Sequence, residues 1–415
     1  MMQQPNVVRL HIDERMEYRL RREMPWIFRK HADFGKKSPS HGDLVAVYGK
    51  RNTCLGIGLY DAFSPICVRM LGKNIDFSRA YFASALQEAA QRRSKAEIVS
   101  SQTTGLRFLS GESEGLPGLV IDVYGSTWVL KVYAAIWLPY LPAFLEVLEE
   151  CFFHGQAERS GAWWDAPSRL ILRFGRDVRG HFENMGFKEG QLVVGEDRTP
   201  YAMFLEHGAC FCAHVFKGQK TGFFLDQRDN RQLVRRLSSG RRVLDICCYS
   251  GGFSVNAAIG GASEVWSLDG DRHALELVEQ HYTLNANHAG VAASRHVPVR
   301  ADMFEWIKRA RDRKMHFDLV IADPPSFASS QAQMETAEKA YVRLFSEAAS
   351  LLGPKGQILC CSCSSHVGQE KFSGIVSRAL KHRALTSLDY SGLPADHVAN
   401  FAEARYLKAW LVTVK

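Results

Sequence analysis

At 415 residues the chain exceeds what one hydrophobic core comfortably serves, so two or three domains are expected. Its 46% apolar and 23% charged content is that of a soluble globular protein, and the aromatic stretch Trp128–Phe153 is too broken by Lys131, Pro139, Pro142 and three glutamates to span a membrane. The formal charge of +8 is uneven: residues 1–72 hold 12 Lys and Arg against 7 Asp and Glu, which fits either a solvated basic face or an anionic partner, nucleic acid being the commonest.

Residues 5–72 read as short strands, VVRLHI, DLVAVYG, CLGIGLYD and PICVRML, with the period-two alternation of a small β-barrel (domain 1–73). Between the first two lies a helical piece, Glu14–Glu23, whose Arg15, Arg19 and Arg22 share one face. Arg19 and Arg22 are the expected substrate contacts there. A central α+β domain (74–190) begins with a helix around Leu86, Ala89 and Ala90. Strands near Thr104–Leu109, Gly118–Val123 and Thr127–Val132 follow, the last two forming a hairpin through Tyr124-Gly125-Ser126. A helix at Tyr140–Cys151 and a strand at Arg169–Phe174 complete it, and residues 175–190, Gly-rich and charged, read as a linker. From 191 to 415, strands Leu192–Glu196 and Tyr201–His207 precede a regular alternation of strand and helix, the pattern of a doubly wound α/β domain.

Within that last domain, four apolar runs each end on an acid: Asp245 in RRVLDICCYSGGFS, Asp269 in EVWSLDGD, Asp302 after RHVPVRA, and Asp323 in FDLVIADPPSF. Open parallel sheets bind ligands beyond the carboxyl ends of their strands, so these acids should meet. Ser250-Gly251-Gly252, after Tyr249, provides a tight turn into a helix, where unpaired N–H groups face a ligand. The spacing is not GxGxxG, and no pyrophosphate cradle is expected. Asp269, seventeen positions after Gly252, is placed for ribose hydroxyls, and Asp302, with Met303 beside it, for an adenine amine. Each acid alone reads as well as an N-cap or turn carboxylate. The ordered set points to a cofactor with adenine and ribose but no pyrophosphate, S-adenosylmethionine.

Asp323-Pro324-Pro325 is a rigid turn that holds the acid and backbone carbonyls toward a methyl acceptor, and Phe327 is placed to stack on a base. A fifth run, GQILCCSCSSH, ends on thiols. Cys360 and Cys361 alternate inside the strand and read as core, whereas Cys363 lies past its end, in the crevice. Carbon 5 of cytosine is a poor nucleophile until a thiolate adds at carbon 6, and an acid near ring nitrogen 3, here Asp323, assists that addition. The ten cysteines otherwise make neither a disulfide framework nor a zinc-site pattern, so no metal and a reducing, cytoplasmic setting are expected. The first thirty residues carry charges throughout and contain no apolar targeting segment.

Taken together these residues resemble the RlmI-type family of class I methyltransferases, which modify cytosine at carbon 5 in large-subunit ribosomal RNA. The likeness covers essentially the whole chain. PWIF, GDLVAV, GIGLYD and SPICVR resemble its N-terminal PUA RNA-binding barrel, and GESEGLPGLVIDVYG its central domain. DICCYSGGFS, SLDGD, AD, DPPSF and SCS match its cofactor and catalytic motifs in order. The resemblance implies a Rossmann-like methyltransferase domain, Cys363 as nucleophile, Asp323 as the cytosine-orienting acid, and ribosomal RNA as partner. It also implies that Lys220, Phe224, Gln227 and Arg228 in GQKTGFFLDQRDNR flank the cofactor. Two departures stand out: Cys247-Cys248-Tyr249-Ser250 replaces the common Phe-Ser-Tyr-Thr, and Ser326 occupies a position where some related enzymes carry a second thiol. A homodimer is left open.

Other readings fit less well. A 7-methylguanine enzyme needs no thiol, because nitrogen 7 has its own lone pair. Exocyclic-amine methyltransferases usually place an aromatic where this chain has Ser326, and a dehydrogenase would need the missing dinucleotide loop. An RNA-binding scaffold with a degenerate catalytic domain would have no use for the intact set Asp245, Asp269, Asp323 and Cys363.

Overall fold

A computed structural model describes residues 6–35, 37–96, 98, 100–153, 167–327, 333–382 and 385–414, with the backbone alone at 385–388. The chain forms two compact units: 1–205 with 212–225 and 395–404, and 206–211 with 226–394 and 405–415.

The first unit opens with β1 (Val7–Ile12), α1 (Glu14–Leu20), β2 (Trp26–Phe28), β3 (Ala32–Asp33), β4 (Leu44–Tyr48), β5 (Cys54–Tyr60) and β6 (Ile66–Gly72). They build a six-stranded, nearly closed sheet in the order β2-β6-β5-β4-β1-β3, as the barrel reading requires. Alternating side chains, among them Leu10, Ile12, Val45, Val47 and Val68, fill it together with Met16 and Ile27. Asp13 caps α1 by accepting from the Met16 amide at 2.7 Å. The helix ends at Leu20, short of the expected Glu23, so Arg22 sits in the turn after it, just before left-handed Glu23 (φ 68°).

Next come α2 (Arg79–Lys95), β7 (Gly105–Ser110), β8 (Leu119–Tyr124), β9 (Thr127–Val132), α3 (Leu141–Phe152), β10 (Arg169–Phe174), α4 (Arg179–Glu183) and β11 (Gln191–Val194). The sheet runs β11-β10-β9-β8-β7, over a core rich in aromatics that includes Trp128, Trp137, Phe82, Phe108 and Phe144. Burial of such rings supplies most of the driving force here. Arg93, wholly buried, survives because each of its three nitrogens donates to an oxygen: Nη1 to Glu114 Oε1, Nη2 to Glu114 Oε2 at 2.8 Å and the Asp396 carbonyl at 2.7 Å, and Nε to the Arg107 carbonyl at 2.9 Å.

Two sequence expectations fail in this region. Residues 175–190 are no linker: α4 lies there, Phe182 stacks on Phe174 (4.6 Å, 15°), and Glu189 accepts from the Phe174 amide at 2.7 Å. β11 does not open the next domain, because it pairs antiparallel with β10 (Ile171↔Leu192, Leu170↔Val194). Composition sees the glycines and charges of a segment but not the distant sheet that orders it. A separate hairpin follows, β12 (Tyr201–Glu206) and β13 (Ala209–His214).

The second unit contains α5 (Arg228–Leu237), β14 (Arg242–Ile246), α6 (Gly252–Ile259), β15 (Glu264–Asp269), α7 (Arg272–Leu284), α8 (Ala289–Ala293) and β16 (Arg295–Arg300). It continues through α9 (Met303–Asp312), β17 (Phe317–Ala322), α10 (Met334–Ala349), β18 (Leu352–Ser362), α11 (Gln369–Ala379), β19 (Leu385–Ser391) and β20 (Lys408–Val414). Its seven-stranded sheet runs β16-β15-β14-β17-β18-β20-β19. Strands β14 to β18 are parallel and β20 antiparallel to β18 and β19. Continuous apolar runs such as Val243-Leu244 and Leu319-Val320-Ile321 fit strands covered on both faces. Strand order reverses between β14 and β17, so a crevice is expected where Ile246 and Ala322 end. Among the described residues no helix is long and apolar enough to cross a membrane.

Candidate cofactor and catalytic site

Asp245, one residue before the end of β14, is fully buried. One carboxylate oxygen accepts from the Ser254 amide (3.0 Å) and hydroxyl (2.6 Å), and the other has no partner. Behind it the chain Ser254–Ser267–His296 crosses to β15 and β16, with hydrogen bonds of 2.7 and 2.9 Å. Burial drives the His296 imidazole down to about 4, so it is neutral in this network. Burial likewise pushes the Asp245 acid up to about 7, against the pull of Ser254 and with the charge of Asp323 added.

This shift carries a prediction. An acid of about 7 when folded and 3.8 when unfolded contributes stability that is present in full below about pH 4 and lost as pH rises through about 7. The contribution is on the order of a few kcal/mol. Denaturant titrations between pH 5 and 8, without cofactor, should show that decline in the wild type and a flatter profile for Asp245→Asn. The same pH dependence in both proteins would contradict the assignment.

The loop after β14 is tightly specified. Cys247, Tyr249 and Gly251 all lie in the left-handed region, with φ of 61°, 47° and 75°. The Tyr249 amide donates to Asp269 Oδ2 at 2.9 Å, and the Ser250 carbonyl lies 2.7 Å from His281 Nδ1. Gly251 is required twice over, by its φ and because a β-carbon there would sit 2.8 Å from Val278 Cγ1. Gly252 then starts α6.

The four strand-tip acids do converge. The Cys247 thiol is pushed up by burial and further by the charges of Asp269, Asp323, Asp245 and Asp302, all acting on that one sulfur. Asp269, half-buried, accepts from the Asp271 and Tyr249 amides, one at each oxygen, and each oxygen keeps a second lone pair. Asp302 is exposed, and its Oδ1 caps α9 through the Phe304 (2.9 Å) and Glu305 (3.1 Å) amides. The cap reading therefore holds for that oxygen, and only Oδ2 lies outside it. Met303 packs here as well, its sulfur 3.5 Å from Cys247 Sγ. A buried, unpartnered carboxylate oxygen, a left-handed loop opening a helix and two further acids fit S-adenosylmethionine. Asp245, Tyr249–Gly252, Asp269, Asp302 and Met303 would hold it.

At the neighbouring tip, Asp323 Oδ2 accepts from Gln227 Nε2 at 2.9 Å, and Asn230 in turn donates to Gln227 Oε1 at 2.5 Å. Gln227, expected beside the cofactor, thus meets the expected catalytic acid. Arg228 is buried at the start of α5, its Nε 3.7 Å from Asp229. Pro324 is buried while Pro325 and Ser326 are exposed. Phe327 is half-buried, edge-on to Tyr341 at 4.7 Å. The Tyr341 hydroxyl lies 3.0 Å from Ser362 Oγ, so Tyr341 ties the proline loop to the end of β18.

Cys360 and Cys361 are core, as their alternation requires, and Cys363 stands half-buried beyond the strand. Lys408, aligned with Ser362 on β20, sends its buried ammonium to the carbonyls of Ser364 (2.5 Å) and Tyr406 (2.6 Å). Sequence reasoning missed Tyr341, Lys408, Ser254 and His281. Lys408 alone left a signal, a cation opening an otherwise apolar strand.

Arg19 and Arg22 belong to the first unit. Arg19 pairs with Glu403 at 3.4 Å and lies 5.8 Å over the Phe28 ring, and Arg22 lies 5.0 Å over Tyr18. Lys220 sits over Phe224 at 4.6 Å in the same unit. Among the described residues no cluster of His, Cys, Asp and Glu could hold a metal ion.

The profile of S-adenosylmethionine-dependent methyltransferases matches residues 190–387, and that of PUA-like domains residues 10–73. A Deinococcus radiodurans protein named ribosomal RNA large subunit methyltransferase is 40% identical over 410 residues, covering 97% of this chain and 96% of its own. Ribosomal RNA large subunit methyltransferase I of Photobacterium profundum is 32% identical over 407 residues, covering 96% and 97%. A solved structure, described as a methyltransferase and complexed with SAH, matches in fold with a TM-score of 0.82 at 21% identity, covering 98% of this chain and 100% of its own. Nothing in these likenesses supports a homodimer. Identity at this level across nearly the whole chain places it in the ribosomal RNA large subunit methyltransferase I family, as an S-adenosylmethionine-dependent methyltransferase with a PUA-like domain.

Proposed function

We propose that this chain methylates carbon 5 of a cytosine in large-subunit ribosomal RNA through a covalent bond from Cys363 to carbon 6 of the ring. One observation carries the reading: a half-buried thiol stands at the end of β18, in the same neighbourhood as Asp323 and tied to its loop by Tyr341. A nitrogen acceptor would have no use for that thiol. The names of the relatives supply the class of RNA, and the PUA-like domain with its basic bias fits such a partner.

The chemistry follows from the residues. The Cys363 thiolate adds to carbon 6, and the electron pair of the C5–C6 double bond moves onto the ring. Asp323, anchored by Gln227, meets the base as the protonated acid and gives that proton to nitrogen 3, where the displaced pair arrives. This makes the addition less costly, and Asp323 takes the proton back when carbon 5 attacks the methyl group. Bound S-adenosylmethionine supplies a methyl group on a sulfonium, an electrophile for carbon 5. A general base then takes the carbon 5 proton, the C–H electron pair re-forms the C5–C6 double bond, and the C6–S bond breaks to release the Cys363 thiolate. Pro324 and Pro325 stiffen the loop that presents Asp323, Phe327 offers an aromatic edge to the extruded base, and Arg19 and Arg22 contribute to backbone contacts.

Incubation with methyl-labelled S-adenosylmethionine and unmodified large-subunit rRNA, followed by digestion to nucleosides, tests the assignment. The label should appear in 5-methylcytidine. Label in 7-methylguanosine, or in any other nucleoside, would overturn it.

A further inference from the structure

We propose that Lys408 is the counter-charge of the Cys363 thiolate, a positioning residue that readies the nucleophile from the facing strand. The inference rests on the reading of Cys363 given above.

The geometry begins with register. Lys408 opens β20 directly opposite Ser362, the residue before Cys363, and its ammonium reaches over to the carbonyl of Ser364, the residue after it. A second donor goes to the Tyr406 carbonyl at 2.6 Å. The side chain is therefore fixed across the very segment that carries the thiol. It is 2% exposed. A buried ammonium is expensive unless an anion faces it, and among the described residues no carboxylate pairs with Lys408. Carbonyl dipoles satisfy two of its protons but cancel no charge.

The groups around the sulfur show which anion is meant. Tyr341 from α10 and Cys361 from β18 each feel the charges of both Cys363 and Asp323, so these four groups share one neighbourhood. As a carboxylate, before it takes up the proton it offers to nitrogen 3, Asp323 opposes ionisation of the thiol, and Tyr341 and Cys361 are neutral. Lys408 is a cation whose charge couples to Cys363. Burial lowers its ammonium, the negative charge of Cys363 opposes that, and the outcome is about 8. Coulomb coupling is reciprocal, so the same contact favours the thiolate. No covalent change occurs at Lys408, which acts through its charge alone.

The test is the pH dependence of alkylation at Cys363 by iodoacetamide in the full-length protein, read on the Cys363 peptide by mass spectrometry. In the wild type the midpoint should fall below about 8.5, the value of an ordinary thiol. Lys408→Met should raise it by about one pH unit or more, and lower kcat with little change in KM for S-adenosylmethionine. Lys408→Arg, which keeps the cation, should return the midpoint close to the wild-type value. A wild-type midpoint at or above 8.5 overturns the proposal even if Lys408→Met fails to fold, and so does a folded Lys408→Met with an unmoved midpoint. Full activity in Cys363→Ala would instead defeat the reading of Cys363 as nucleophile, which the alkylation midpoint does not measure.

Discussion

Replacing Cys363 with Ala should reduce methyl transfer by roughly 10⁴-fold or more while leaving S-adenosylmethionine affinity within about twofold. The separation follows from where the groups sit. The residues that fit the cofactor leave from the ends of β14, β15 and β16, whereas Cys363 follows β18. Removing a half-buried sulfur leaves no large cavity, so stability should change by less than about 1 kcal/mol. The neighbouring thiols cannot substitute. Cys360 and Cys361 are wholly buried, burial pushes both thiols up, and neither supplies a thiolate at working pH. Single-turnover rates and equilibrium binding, measured on one preparation, check both halves. Retained activity would place the nucleophile elsewhere.

Asp323→Asn should cost about 10²- to 10⁴-fold in kcat, the range of a lost general acid. The substitution keeps the size of the side chain and an oxygen that can accept from Gln227, so the loop between Ala322 and Phe327 should hold its shape. What it removes is the acidic proton offered to ring nitrogen 3. Cofactor affinity should move little, and the loss should appear in kcat more than in KM. A loss below about tenfold would mean that Asp323 only shapes the loop.

Much of this site is written locally in the chain. A parallel strand buried on both faces has to be a short apolar run, and its end is where a polar residue first becomes affordable, so the acids at 245, 269, 302 and 323 mark the strand tips directly. Their convergence follows from strand order, and the charges acting on Cys247 bear it out. What escaped detection depends on partners far away in sequence. The strand at 191–194 reads as the start of the last domain because its pairing with β10 is non-local, and residues 175–190 read as a linker because Phe182 needs Phe174 to explain it. Gln227 carries no mark that aims it at Asp323. Tyr341 sits at a helical spacing with Leu344 and Phe345 that reads as core, and it is core, but its hydroxyl also reaches Ser362. Asp302 shows the opposite case, since one oxygen does what any N-cap does.

The covalent step admits a direct measurement. In RNA whose cytidines are replaced by 5-fluorocytidine, carbon 5 has no proton to lose, so the adduct cannot resolve after methyl transfer. Mixed with labelled S-adenosylmethionine, the protein should form a complex with that RNA that survives denaturation, carries the methyl label, maps to the Cys363 peptide and is absent in Cys363→Ala. A protein that methylates ordinary RNA but traps no complex, or traps one through another residue, would contradict the account.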